Sequence, residues 1–411
     1  MPYLPRIADE ELQRRLAASG AVVIEGPKAC GKTETALQRA ASHVFLDIDV
    51  AAQRAMAVDP NLVLEGDTPR LIDEWQVAPD VWNHVRRSID SRRKSGQFIL
   101  TGSAVPADDV NRHAGGGRFS TLRMRPMTLF EAGHSTGAIS LAELMDGTSP
   151  RTPAPPLTIS DLADIVTVGG WPAQQGKSVP EAARAGRDYL DQMRLVDVGR
   201  LTGTPRDPVR MGKLLQSIAR NTATDAADTV LADDAGISRK TVAEYLGALQ
   251  RLMILEQQPA WSVHLRAKAT LRSSERHHFV DPSLAVAALG AGPERLLKDL
   301  NFMGLLFESL VIRDLRVYAQ PLDGQIYHYR DSSGLEVDAI VQLADGRWAG
   351  FEIKLGEGLV EDGARCLLRF AKVVDTRRCG APALLAVISG NGFGYMRPDG
   401  IGVLPIGALR P

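Results

Sequence analysis

The sequence predicts a multidomain α/β protein that opens on a parallel sheet, passes through a largely helical segment and ends in a second α/β domain. Three observations carry that prediction. Short apolar runs alternate with helical periods over the first hundred or so residues; a proline-rich stretch, GTSPRTPAPPL at 147–157, interrupts the composition; and short strands return after about residue 275. Strands alternating with helices call for a parallel sheet with both faces covered. At roughly 100–200 residues per domain, 411 residues are too many for one core. The expected division is 1–132, then a linker and helical segment over 133–205, a third unit over 206–265, and a last domain over 266–411.

The first strands are AVVIE (21–25), VFLDI (44–48), PRLID (69–73) and QFILT (97–101), with helices over 32–41 and 80–93 between them. In the second helix Trp82, Val85 and Ile89 share a face, and most of the arginines lie off it. Lys and Arg total 48 against 49 Asp and Glu, so no global positive field draws the chain to nucleic acid or anionic lipid. Contact with DNA or RNA would have to be local. Cys30, Cys366 and Cys379 are too few for a disulfide framework. The start lacks an apolar signal core, and no apolar run reaches the ~18 residues of a membrane span, so a soluble cytoplasmic protein without a membrane partner is expected.

Gly26-Pro27-Lys28-Ala29-Cys30-Gly31-Lys32-Thr33 fits G-x-x-x-x-G-K-[ST], following a strand and opening a helix. The glycines let the loop curl until backbone N–H groups converge on phosphate oxygens, and the helix adds its positive end. Lys32 would bridge the β- and γ-phosphates of ATP, and the Thr33 hydroxyl would ligate Mg²⁺. Some 40 residues on, Leu71-Ile72-Asp73-Glu74 ends a strand in two carboxylates. Asp73 suits Mg²⁺ through water, and Glu74 suits polarising the attacking water. Thr101 or Ser103, at the end of the next strand, would sit beside the γ-phosphate. Arg118, after glycines 115–117, fits a charge stabiliser in cis or from a neighbouring subunit, and equally a solvated arginine on a glycine loop.

Further along, LADDAGISRKTVAEYLGALQRLMIL (231–255) has helix-turn-helix spacing: Ala232 where the helices cross, Gly236 in the turn, Val242 as the apolar anchor and Ser238 as the cap. Residues 206–276 hold 11 Lys and Arg against 8 Asp and Glu, enough for phosphate contacts without a basic stripe that forces them. The module reads as a DNA-contacting element or as a protein-docking scaffold. Beyond it, Glu336-Val337-Asp338 and Glu352-Ile353-Lys354 lie on two apolar strands joined across Asp345-Gly346, a favoured hairpin turn. Asp338 and Glu352 would converge on a divalent metal, with Lys354 on the same face as Glu352 and Glu308 adding a carboxylate from a helix. The alternating charges also describe a solvated face of an edge hairpin.

GPKACGKT, LIDEWQ, FILTGSA, GGR and RMRPMTLFE, in this order, resemble a large prokaryotic family of AAA-type P-loop ATPases with an uncharacterised C-terminal domain. GGWP (169–172), FVDPSLA (279–285), LLFESLVIRDL (305–315) and EVDAIV…FEIK (336–354) extend the resemblance over nearly the whole chain. It implies an ATPase core, a winged-helix-like region and a restriction-endonuclease-like α/β domain, whose D…E-x-K core the residues Asp338, Glu352 and Lys354 resemble. The expected function is therefore a Mg²⁺-dependent ATPase whose nucleotide state is coupled to a nuclease-like domain. The alternative is an ATP-switched binding or DNA-regulatory protein with an inactive nuclease-like fold. A protein partner and oligomerisation are both compatible with either reading.

Overall fold

The computed structural model describes residues 2–103, 115–199, 207–262 and 275–411. The expected boundaries at 205/206 and 265/266 lie outside the described residues. The first sheet has five parallel strands, β1 (Ala21–Glu25), β2 (Ser42–Phe45), β3 (Arg70–Asp73), β4 (Phe98–Gly102) and β5 (Phe119–Arg123), in the order β2-β3-β4-β1-β5. Alternation along β1 turns Val22 and Ile24 to one core and Ala21 and Val23 to the other. Helices α1 (Ile7–Ala18) and α2 (Lys32–Leu37) contribute Leu12, Leu16 and Ala36 to the first core. On the opposite face lie α3 (Val50–Val58) and α4 (Val81–Arg92), the latter through Val81, Val85 and Ile89. Strand β4 separates the two strands that carry the expected nucleotide motifs, so both open on the same carboxyl edge of the sheet. That edge is where open α/β sheets take ligands.

Residues 133–145 do not form a linker. Strand β6 (Ile139–Ser140), followed by α5 (Leu141–Met145), pairs in parallel with the chain's last strand, and the Ser135 hydroxyl donates to Leu409 O at 2.6 Å. Next come α6 (Ile159–Val168) and α7 (Val179–Gln192), then α8 (Pro208–Arg220), α9 (Asp228–Ala235) and α10 (Arg239–Arg251). The expected turn lies between α9 and α10, with Gly236 at φ 64° and the Ser238 hydroxyl accepting from Thr241 N. Strand β7 (Leu255–Gln258) pairs antiparallel with β8 (Arg276–Phe279), so β8 belongs to this unit and not to the last sheet. After α11 (Pro282–Ala288), α12 (Pro293–Leu297) and the 20-residue α13 (Leu300–Ala319) comes a mixed six-stranded sheet. Its strands are β9 (Gln325–Arg330), β10 (Glu336–Gln342), β11 (Trp348–Lys354), β12 (Leu384–Ser389), β13 (Tyr395–Met396) and β14 (Gly402–Pro405), and β15 (Leu409–Arg410) is the one paired to β6. Helix α14 (Val360–Val373) covers one face, and the expected β10–β11 hairpin turns at Gly346, φ 92°.

The downstream motifs of the sequence meet at one joint between these units. Gly170 N donates to Asp281 Oδ2 at 2.9 Å, Trp171 Nε1 to Ser283 Oγ at 3.1 Å, and Met127 N to Gly170 O at 2.6 Å. A Cβ on Gly170 would fall 2.1 Å from Met127 O, so only glycine permits this approach. Arg313 on α13 ties Asp281 (2.7 Å) to Asp314 (2.7 Å), and Asp314 in turn accepts from Leu129 N at 3.0 Å. Every charge here is buried and paired, so the joint fixes geometry, while loss of one partner would be costly.

Candidate active site

The loop after β1 curls because of two glycines. Gly31 sits at φ 102°, and a Cβ on Gly26 would fall 2.4 Å from Met124 O on the neighbouring segment. Lys32 is buried, its Nζ donating to Gly26 O (3.0 Å) and Pro27 O (2.9 Å). Thr33 Oγ1 donates to Asp73 Oδ1 at 2.8 Å, which brings the loop and the acidic pair together across β4. The Glu74 backbone takes φ 51°, and its carboxylate accepts from Gln76 Nε2 and, at 3.3 Å, from Ser103 Oγ. Burial raises the Glu74 carboxyl above its ordinary value; Lys32 pulls it back and Asp73 adds to the rise. A base held at higher basicity beside a lysine is the condition for polarising water near neutral pH.

These groups line a cleft of ≈ 990 Å³: Lys28, Ala29, Gly31, Lys32 and Thr33 from the loop, Asp73, Glu74, Gln76 and Ser103 opposite. The size suits a nucleotide. Glu34, Asp47 and Val77 of the first domain also line it, and a further wall comes from beyond that domain, from Pro172, Ala173, Asp197 and Leu252. Lys28 Nζ lies 2.5 Å from Asp197 Oδ1, and Tyr189 OH donates to Lys28 O at 3.4 Å. Asp197 ends a π-helical turn, Met193–Asp197, a local distortion often found at functional sites. Among the loop residues, Cys30 is wholly buried, its thiol near Met124 O, so it acts as a small packing residue. The Thr33 hydroxyl and Asp73 carboxylate are hard oxygen donors 2.8 Å apart on the cleft wall, a set that fits Mg²⁺ with water completing its shell.

Two expectations change. Thr101 is fully buried and does not line the cleft: its hydroxyl donates to Asp73 Oδ1 and accepts from Glu74 N at 3.4 Å. It positions the acidic pair, and Ser103 is the strand-end hydroxyl that reaches the cleft. Arg118 precedes β5 at the end of the sheet opposite the loop, where its carbonyl accepts from Ala21 N. Its guanidinium pairs with Asp90 at 2.9 Å, and the length of β1, about 15 Å at ~3.3 Å per residue, keeps it from this chain's own cleft. Reading Gly-Gly-Gly-Arg without strand polarity could not reveal that.

The sequence also missed Arg6. Buried at the start of α1, it donates to Cys30 O (2.7 Å) and Arg125 O (2.7 Å) and pairs with Glu131 (3.0 Å), bracing the loop from behind.

The second predicted cluster does assemble. Lys354 Nζ lies 2.6 Å from Glu352 and 3.3 Å from Asp338, while Ile353 N donates to Asp338 Oδ2 at 2.8 Å. Glu308 reaches it from α13. The divalent-metal expectation does not fit, because Arg276 of β8 stands among these acids. It pairs with Glu308 (3.1 Å), Glu336 (2.6 Å) and Asp225 (2.8 Å), and approaches Asp338 to 3.9 Å. Among the described residues, no three His, Cys, Asp or Glu side chains converge as a metal site. Burial, then Asp338, raises Glu308 well above the usual carboxylate range; the same two causes push Glu352 up to about 7 against the pull of Lys354. The pull of Arg276 and Lys354 thus does not offset burial and the neighbouring carboxylate.

Residues 18–132 match a family described as "AAA domain", residues 159–295 the "Domain of unknown function (DUF8612)", and residues 303–409 the "Domain of unknown function (DUF4143)". These matches support a prokaryotic AAA-type ATPase family. Uncharacterized proteins of Mycobacterium bovis and Mycobacterium tuberculosis are each 24% identical over 355 residues, covering 85% of this chain and 73% of theirs. A solved half-complex of Thermococcus gammatolerans McrB AAA+ hexamers with bound McrC aligns over 80% of this chain and 89% of that one. Its identity is 13% and its TM-score 0.21, so that likeness carries no argument. Among the described residues no helix is long and apolar enough to cross a membrane.

Proposed function

We propose that this protein is a Mg²⁺-dependent ATPase whose nucleotide state is read by the domains that wall its cleft. The reading rests on one observation: Lys32 and Thr33 face Asp73 and Glu74 in a single nucleotide-sized cleft, with Thr33 Oγ1 2.8 Å from Asp73. Backbone amides of Gly31, Lys32 and Thr33 at the start of α2 bind phosphate oxygens, and Lys32 leaves the loop carbonyls to meet the β- and γ-phosphates. Thr33 and, through water, Asp73 would hold Mg²⁺, which when bound neutralises phosphate charge. Glu74, oriented by Gln76 and Ser103, takes the proton of the attacking water. Contacts from Asp197, Pro172 and Leu252 support a coupling of cleft occupancy to the rest of the chain. Calorimetric titration with ATP and Mg²⁺ tests the site. Lys32→Ala should weaken binding by ten-fold or more, since a charge-assisted contact is worth about 1.5–3 kcal/mol. Unchanged affinity would remove the assignment.

For the C-terminal half, the meeting of Asp338, Glu352 and Lys354 supports a restriction-endonuclease-like fold. Arg276 among the acids favours the non-catalytic alternative, a nucleotide-switched binding domain, over phosphodiester cleavage. The helices α8–α10 with β7–β8 support a winged-helix reading of the middle unit. Incubation of wild type and Asp338→Ala with DNA and Mg²⁺ separates the two readings. No cleavage by either protein is expected; cleavage lost in the variant would restore the nuclease.

A further inference from the structure

A second cleft, of ≈ 540 Å³, runs between edge strand β5, strand β7 and the end of α13. Its lining holds four arginines, Arg15, Arg123, Arg125 and Arg316, against one acid, Glu256. Glu11 already holds Arg15 at 2.6 Å. The other three crowd the one carboxylate: Arg316 at 2.8 Å, Arg125 at 3.0 Å and Arg123 at 3.6 Å. Among the described residues, two positive charges in the lining therefore lack an acid of their own, with Glu25 on the neighbouring strand adding a weaker attraction to Arg123 than Glu256 does. All three side chains are largely withdrawn from water, at 27%, 14% and 8% exposure, where unbalanced charge is costly.

We propose that this cleft is an anion site that takes a phosphate group. Guanidinium forks match phosphate oxygens in pairs, and two excess charges match the charge of one phosphate dianion. Amide donors of Gln257 and Gln325 border the space. Burial holds Arg123 and Arg316 below the ordinary arginine range; Glu256 offsets that loss in each, and Arg125 deepens it. A bound anion would reverse this. The proposal is independent of the ATPase reading, although the Arg125 carbonyl shares Arg6 with Cys30 of the nucleotide loop, which would relay occupancy between the two sites.

A soluble polyphosphate and a nucleic-acid backbone both present this chemistry, and the test separates them. Inorganic pyrophosphate is titrated into full-length Lys32→Ala by calorimetry, then into Lys32→Ala carrying Arg123→Gln. Arg123 makes the longest of the three contacts, so this replacement should keep the melting temperature. Binding should weaken at least ten-fold, with Arg123→Lys restoring part of it. No binding in Lys32→Ala, or binding indifferent to Arg123→Gln, overturns the site. A labelled single-stranded oligonucleotide displaced by pyrophosphate, and weakened by the same replacement, identifies the strand backbone as the ligand. Pyrophosphate binding without oligonucleotide binding identifies a soluble phosphate.

Discussion

The nucleotide cleft and the C-terminal acidic cluster use the same materials at strand ends, two or more carboxylates and a lysine, and arrive at opposite states. In the first, Lys32 rests on backbone carbonyls, and Asp73 and Glu74 are held by hydroxyl and amide groups, so among the described residues no cation is bonded to either carboxylate. In the second, Lys354 and Arg276 are already bonded to Asp338, Glu352, Glu308 and Glu336. Carboxylates held by neutral donors keep their affinity for an incoming cation. Carboxylates spent on arginine do not, unless the arginine leaves.

The largest expected effect breaks the comparison on the nucleotide side. Glu74→Gln should retain ATP yet lose turnover by roughly 10²–10⁴-fold, the usual worth of a positioned base, as measured by phosphate release. Wild-type turnover in that variant would leave the cleft without its proposed chemistry. On the other side, Arg276→Gln leaves buried acids unpaired. It should cost about 3–5 kcal/mol in denaturant unfolding and create Mn²⁺ binding absent from the wild type. Mn²⁺ bound by the wild type and lost in Asp338→Asn would show the cluster to be open after all.

A smaller effect follows from the raised Glu352 carboxyl. Its folded value of about 7 lies above the ordinary 4.5, so the proton is bound more tightly in the folded state. The associated stability is complete below about 4.5 and is lost as pH rises through about 7. Melting temperature should fall across that window, and Glu352→Gln should flatten the slope. The smallest effect belongs to Arg118→Ala, which removes an exposed, solvent-screened pair with Asp90 and should leave the melting temperature nearly unchanged. Turnover in the monomer should be unchanged; a loss appearing only with self-association would mean that Arg118 serves a neighbouring chain.

Much of the nucleotide site was legible because its parts are local. Gly26–Thr33 is one turn between a strand and a helix, and the Asp73–Glu74 pair ends a strand whose apolar run announces it. The hairpin at Gly346 and the helix turn at Gly236 were legible for the same reason: both need a left-handed residue at one fixed place. Arg276 was not, since nothing within a few residues of it marks its charge as buried or paired. Its partners lie 32 to 60 residues away and on three other segments. Arg6, Asp197, Arg123 and Arg125 were hidden likewise, each paired with a residue more than a hundred positions distant.

By itself, then, the chain's sequence determined which backbone segments curl, extend or cap, because those preferences are set by glycine, apolar period and side-chain oxygen within a few residues. Tertiary structure alone decided which carboxylates are held by neutral donors and which by cations, and on which edge of the sheet an arginine comes to lie. Charge pairing depends on distance in space and on exclusion of water, and neither is encoded at short range.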